Sequence, residues 1–200
     1  MDTIADVVIN TDIPAADAVT TINADNVMVV ETLASKPSFG DIPILCIVAS
    51  LTNPRKIFAE EGAKNVSWVW SPNWNDSPRD AWNAKAEYYP GDDQVDWVGV
   101  SGYNLHREAP GDLFGQMYAD YATRKPLMIT EVGAVDRGGR TKADWITLLA
   151  GWVEKNPGVG AVVWFDTDTH PGFDEKWRID TDPASLAAFQ TMARDPHFSA

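Results

Sequence analysis

Cysteine is nearly absent. Cys46 stands alone in 200 residues, so no internal disulfide can form, and its setting in "IPILCIVAS" is that of a small buried hydrophobe. The three histidines, His106, His170 and His197, are scattered without ligand spacing, and no Cys/His cluster points to zinc. Basic residues are few: 16 Lys and Arg face 29 Asp and Glu, for a net charge of -13. A surface that displaces counterions from phosphates needs the opposite balance, so nucleic acid and anionic membranes are excluded as partners. No apolar run approaches the length of a membrane span. The opening "MDTIADVVINTDIPAAD" has no basic region and no long apolar core, so no secretory signal is expected there, and localisation stays open. Neither G-x-G-x-x-G nor G-x-x-x-x-G-K-[ST] occurs, which removes the usual nucleotide-binding turns.

Tryptophan is present in excess. Nine Trp are more than packing usually requires, because a buried indole needs a partner for its N–H. Flat Trp faces also suit sugar rings.

From Asn65 onward two kinds of segment alternate. "NVSWVWSPN" (65–73), "VDWVGVSGYN" (95–104), "PLMITEVG" (126–133) and "GAVVWFDTD" (160–168) have the β-branched, near-continuous apolar character of parallel strands covered on both faces. Between and after them, 111–124, 141–158 and 181–194 read as helices, with Thr141 and Asp182 as N-caps and Pro183 in the first turn. The stretch after residue 73 reads as loop with one short helix. Upstream, 6–10, 26–33 and 42–50 read as strands, and 53–64 as a helix stopping near Gly62. Such alternation predicts an α/β fold of (β/α)₈ TIM-barrel type with about seven strands. A closed barrel of this kind typically needs about 250 residues, so the expectation is an incomplete one, in a single domain over 1–200.

Barrels place their chemistry at the C-terminal ends of strands. Here those ends carry Ser71 and Asn73, then Tyr103 and Asn104, then Glu131, then Asp166 and Asp168. Strand alternation puts Leu127, Ile129 and Glu131 on one side. Glu131 then faces the barrel mouth, where a carboxylate is costly unless it is bonded or functional. A structural Glu bonded to a loop is the alternative reading.

Taken together and in order, "FAEEGAKNVSWVWSPN", "YYPGDDQVDWVGVSGYN", "KPLMITEVGA", "GAVVWFDTD" and "KWRIDTDPASLAAF" resemble the C-terminal half of glycoside hydrolase family 26. This is a family of β-mannanases and related endo-β-glycanases. The resemblance covers 58–189 and leaves 1–57 divergent. It implies a hydrolase without cofactor, a polysaccharide or oligosaccharide substrate such as β-1,4-mannan, and a usually secreted protein. It also implies a retaining mechanism in which two carboxyls stand roughly 5–5.5 Å apart. Glu131 matches the nucleophile. Tyr103 matches a tyrosine beside it, Trp164 matches a sugar-stacking tryptophan, and Trp70 and Asn73 fall where subsite contacts are expected. Trp68, Trp97, Trp145 and Trp152 read as packing residues, and Arg178 as a structural partner of Asp180. The family's acid/base, a His-Glu pair ending the fourth strand, has no match in "IPILCIVASLTNP". Glu31, at the end of "NVMVVE", is the upstream strand-end glutamate left for that role; a surface carboxylate is its plainer reading. Three outcomes stay open: an enzyme, a glycan-binding degenerate barrel, and a truncated gene product.

Overall fold

The computed structural model describes residues 19–22, 26–33, 55–56, 58–62, 65–168 and 174–198. They divide into two compact units, the first up to Gly99 and the second from Val100 onward, and the division falls inside one strand.

In the first unit, β1 (Val19–Ile22) and β2 (Asn26–Leu33) pair antiparallel, from Val19 opposite Val29 to Ile22 opposite Asn26. β2 then runs parallel to β3 (Val66–Pro72), from Val27 opposite Val66 to Leu33 opposite Pro72. β3 is in turn parallel to the start of β4 (Trp97–Asn104). β1 was not expected, and an antiparallel hairpin departs from strict strand-helix alternation. Its β-branched residues, "VTTI", suit a pleated surface. The expected strands at 6–10 and 42–50 lie outside the described residues. The expected helix at 53–64 is helical at 55–56 and 58–60 and stops at Gly62, whose φ of +77° suits a residue without Cβ.

Asp96 pins β3 to the approach of β4: its Oδ2 accepts from Trp68 N and its own N donates to Trp68 O, both at 2.8 Å. The connection after β3 holds two 3₁₀ turns, Ala81–Asn83 and Lys85–Tyr88, where one short helix was expected. Lys85 ties it back to Asp76 at 2.9 Å, and Asn83 Nδ2 donates to Pro78 O at 2.9 Å.

The second unit completes β4 and adds α1 (Pro110–Tyr121), β5 (Leu127–Ala134), α2 (Thr141–Lys155), β6 (Val159–Trp164) and α3 (Pro183–Ala193). The strand order is β4-β5-β6, β3 to β6 are parallel strands, and α1 and α2 connect β4 to β5 and β5 to β6. The core is continuous between layers. Val100, Leu127, Ile129 and Val132 from the strands, Leu113, Phe114 and Met117 from α1, and Ile146, Leu149 and Val153 from α2 are almost fully buried. On both helices those residues recur at the spacing of one helical face. Each such side chain contributes about 1.5–3 kcal/mol when withdrawn from water.

The helix starts follow local chemistry. Asp112 Oδ2 accepts from Ala109 N ahead of Pro110, and Asp182 Oδ1 accepts from Ala184 N and Ser185 N at 2.8 and 3.0 Å. Thr141 is not the expected N-cap. It is the first helical residue of α2, and its hydroxyl donates back to Gly138 O.

Candidate functional site

Glu131 lies in the second half of β5 and is the one partly exposed residue of an otherwise buried strand. The strand was expected to stop near Gly133 and instead runs to Ala134. Its pairing with β6 is irregular between Ile129 and Val132, so the pleat is interrupted next to Glu131. Thr130 is buried and its hydroxyl lies 3.3 Å from that of Ser101 on β4. Tyr103, two residues beyond Ser101, hydrogen-bonds through its hydroxyl to the Glu131 carboxylate. Adjacent residues of β5 therefore both engage β4.

Burial pushes the Tyr103 phenol far above its ordinary range, and the Glu131 charge and their shared hydrogen bond add to the shift. The phenol stays protonated and donates. Such a donor holds a carboxylate in place and spreads its negative charge, which suits a group that must attack from one orientation.

Three further groups fix Tyr103. Its ring meets Phe165 edge-on at 5.7 Å and Trp177 at 5.0 Å between centroids. Trp177 lies directly over Gly133: a Cβ there would sit 2.7 Å from Trp177 Cε3 and 3.1 Å from Tyr103 Cδ1. Only a glycine permits this approach. The sequence reading missed Trp177, Phe165 and Gly133 as parts of the site. "TEVG" held a clue in its glycine; Trp177 follows a stretch with no period.

Trp164, expected to stack on a sugar, packs between strand and helices. Its ring packs against Trp145 of α2 and Phe189 of α3, at 6.3 and 5.9 Å, and its Nε1 donates to Trp177 O at 2.8 Å. Alternation along the chain turns Trp164 to the helices, and its neighbour Phe165 takes the place beside Tyr103. Trp70, in the other unit, is fully buried with its ring against Tyr89 at 4.9 Å. It has no exposed face for stacking. Asn73 is partly exposed just after β3. Glu31 lies on β2, in register with Trp70 of β3. The structure thus unites Glu131 and Tyr103, and links Trp164 to the backbone of Trp177.

Trp68, Trp145 and Trp152 have packing partners. Trp68 meets Phe58, Trp145 donates to Glu108 O, and Trp152 lies against Phe114 and Tyr118. Arg178 and Asp180 form a two-bond pair at 2.8 and 2.5 Å. Asp166 and Asp168 accept from the backbone N of Ile179 and Arg178, and so organise the segment after β6. Asn104 Oδ1, at the end of β4, is buried without a hydrogen-bond partner. Among the described residues no cluster of His, Cys, Asp and Glu is suited to a metal ion, and no helix is long and apolar enough to cross a membrane.

Comparison with known proteins adds to this geometry. Residues 49–190 match the model of "Glycosyl hydrolase family 26". Endoglucanase H of Acetivibrio thermocellus is 30% identical over 153 residues, which are 72% of this chain and 16% of that protein. Among solved structures, a GH26 beta-mannanase from Bacteroides ovatus matches with a TM-score of 0.55 and 21% identity, over 78% of this chain and 44% of that one. The GH26 endo-beta-1,4-mannanase catalytic domain of Bacillus sp. JAMB-750 matches with a TM-score of 0.55 and 18% identity, over 78% and 45%. The chain therefore spans less than half the length of these relatives. The structural likeness supports the α/β, TIM-barrel-like fold.

Proposed function

The chain belongs to glycosyl hydrolase family 26, and on that premise we propose that Glu131 is a glycosidic nucleophile acting on β-1,4-mannan or a related β-glycan. The observation that carries the reading is the Glu131 carboxylate on a parallel strand, held by the protonated Tyr103 hydroxyl.

In the proposed reaction a Glu131 oxygen bonds to the anomeric carbon as the bond to the leaving oxygen breaks. A carboxylic acid gives that oxygen its proton. The resulting carboxylate then takes a proton from water, which attacks the same carbon and frees Glu131 with the original configuration kept. Tyr103 contributes orientation: its hydrogen bond holds one carboxylate oxygen so that the other is presented. For the proton donor the sequence offers Glu31, the upstream strand-end glutamate. No metal or redox group enters these steps.

The test is hydrolysis of β-1,4-mannan and β-1,4-glucan oligosaccharides beside aryl glycosides with good leaving groups. Glu131→Ala should abolish turnover of all of them. Glu31→Gln should impair the natural glycans far more than the aryl glycosides, because a good leaving group needs little protonation. Equal impairment of both sinks the Glu31 assignment. Turnover that survives in Glu131→Ala sinks the whole reading.

A second reading is a glycan-binding domain without turnover. It is favoured by "IPILCIVASLTNP", which carries no acid where the family has one. It predicts a ligand-dependent change in Trp fluorescence and no released product.

A further inference from the structure

Lys142 is the largest charged side chain withdrawn from water in the second unit, with 1% of its surface exposed. It projects from the first turn of α2. An ammonium group has three N–H donors, and each has an acceptor here. Nζ donates to Lys176 O and Arg178 O, both at 2.8 Å, and to Thr181 Oγ1 at 2.9 Å. Burial lowers the affinity of Lys142 for its proton, while Asp136, Asp168, Asp182 and Asp166 work in the other direction.

The acceptors are informative by position. Lys176 and Arg178 flank Trp177, so one cation grips the backbone on both sides of that ring. The segment has no helix or sheet ladder of its own between Asp174 and the start of α3. Its order comes from such contacts: Trp177 N donates to Thr167 O at 3.2 Å, and Trp177 O accepts from Trp164 Nε1 at 2.8 Å. The ring so held covers Gly133 and the edge of Tyr103.

We propose that Lys142 is a positioning residue for the Glu131–Tyr103 pair, acting through the Trp177 ring. The inference rests on the reading of Glu131 and Tyr103 as a glycosidase site. Lys142 touches neither of them. By gripping the backbone around Trp177 it keeps that ring over Gly133, and the ring keeps the phenol turned to the carboxylate. A methionine of similar length would fill the space and take the ammonium donor from Lys176 O and Thr181 Oγ1, leaving Arg178 O with the Thr181 hydroxyl alone.

The test follows Tyr103 itself. All five tyrosines are labelled with ¹³C at Cζ, and the Tyr103 signal is identified by its loss in Tyr103→Phe. In the wild-type chain this signal should stay still through the ordinary phenol range near pH ~10. In Lys142→Met with unchanged far-ultraviolet dichroism, the Tyr103 signal should begin to move at a pH at least about one unit below the highest pH at which the wild-type signal is still unmoved, a gain in acidity of at least about tenfold. Thr181→Val, which removes one acceptor of three, should give a smaller shift in the same direction. A Tyr103 signal that behaves as wild type in folded Lys142→Met overturns the proposal. Should Lys142→Met fail to fold, Trp177→Phe and Thr181→Val decide, and an unmoved Tyr103 in both overturns it. Glycan binding separates the two readings. A wild-type chain that neither binds nor cleaves β-glycan, with Tyr103 still dependent on Lys142, refutes the glycosidase site and leaves the positioning role. A wild-type chain that binds glycan, with Lys142→Met binding equally well and Tyr103 unmoved, refutes the positioning role alone.

Discussion

Tyr103 carries the clearest prediction for a single residue. Its native pKa lies above the ordinary 10.0, so the folded chain keeps a proton that the unfolded chain gives up. Stability from this group is fully present below about pH 10 and is lost as pH rises toward the native value. Denaturant melts of the wild type should therefore weaken more steeply above about pH 10 than those of Tyr103→Phe. The opposite shift of Lys142 is common to both chains and cancels in the comparison. Parallel slopes would refute the coupling. At neutral pH the same substitution removes a hydrogen bond to a charged acceptor, worth about 1.5–3 kcal/mol, and turnover should fall with it. Glu131 and Tyr103 were legible because each stands toward the end of an apolar run where a polar group is out of place. The packing of Trp164 was less legible, because a strand-end tryptophan has two possible faces and only the neighbours Trp145 and Phe189 reveal its contacts. Trp177 was illegible because nothing in "DEKWRID" repeats, and its position depends on a lysine some 35 residues earlier.

At the scale of elements, periodicity and caps gave most of the second unit. The apolar spacings of α1 and α2 and the Asp182-Pro183 start of α3 are local signals, and local signals survive folding. Asp182 accepts two backbone N–H groups at the head of α3. Asp182→Ala should cost about 0.5–2 kcal/mol in urea denaturation, and an unchanged midpoint would show that the helix start is held by other contacts. The hairpin of β1 with β2 was less legible. A short run such as "VTTI" is compatible with many settings, and its antiparallel pairing depends on partners that a strand-helix rhythm does not anticipate. The start of α2 also escaped the reading: Thr141 uses its hydroxyl on Gly138 O, one turn back, and enters the helix instead of capping it.

For the whole molecule, the charge of -13 governs solubility more than recognition. A neutral glycan presents no charge to screen. Its affinity should change by less than about twofold when salt is raised well beyond physiological strength, as calorimetry at two ionic strengths would show. A large loss would mean that an ionic group of the ligand is being read. Protection should also be uneven. Many of the deepest side chains of the second unit lie on β5 and α2, with Leu127, Ile129, Val132, Ile146 and Leu149 all at 0% exposure. Hydrogen exchange followed by mass spectrometry should find the amides of these two elements among the slowest. Faster exchange there than in the 3₁₀ turns after β3 would contradict a core centred on them.

The bare backbone of Gly133 under the Trp177 ring has a consequence for how this chain can vary. The two positions share one volume, so neither can change freely while the other stays fixed. Gly133→Ala should cost about 1–3 kcal/mol, the usual penalty of overpacking. Joined to Trp177→Leu, it should cost less than the sum of the two single changes. Among diverging descendants of this sequence, a larger residue at 133 should appear only beside a smaller one at 177. A library that randomises position 133 alone should recover mainly glycine, and should admit larger residues once 177 is made smaller.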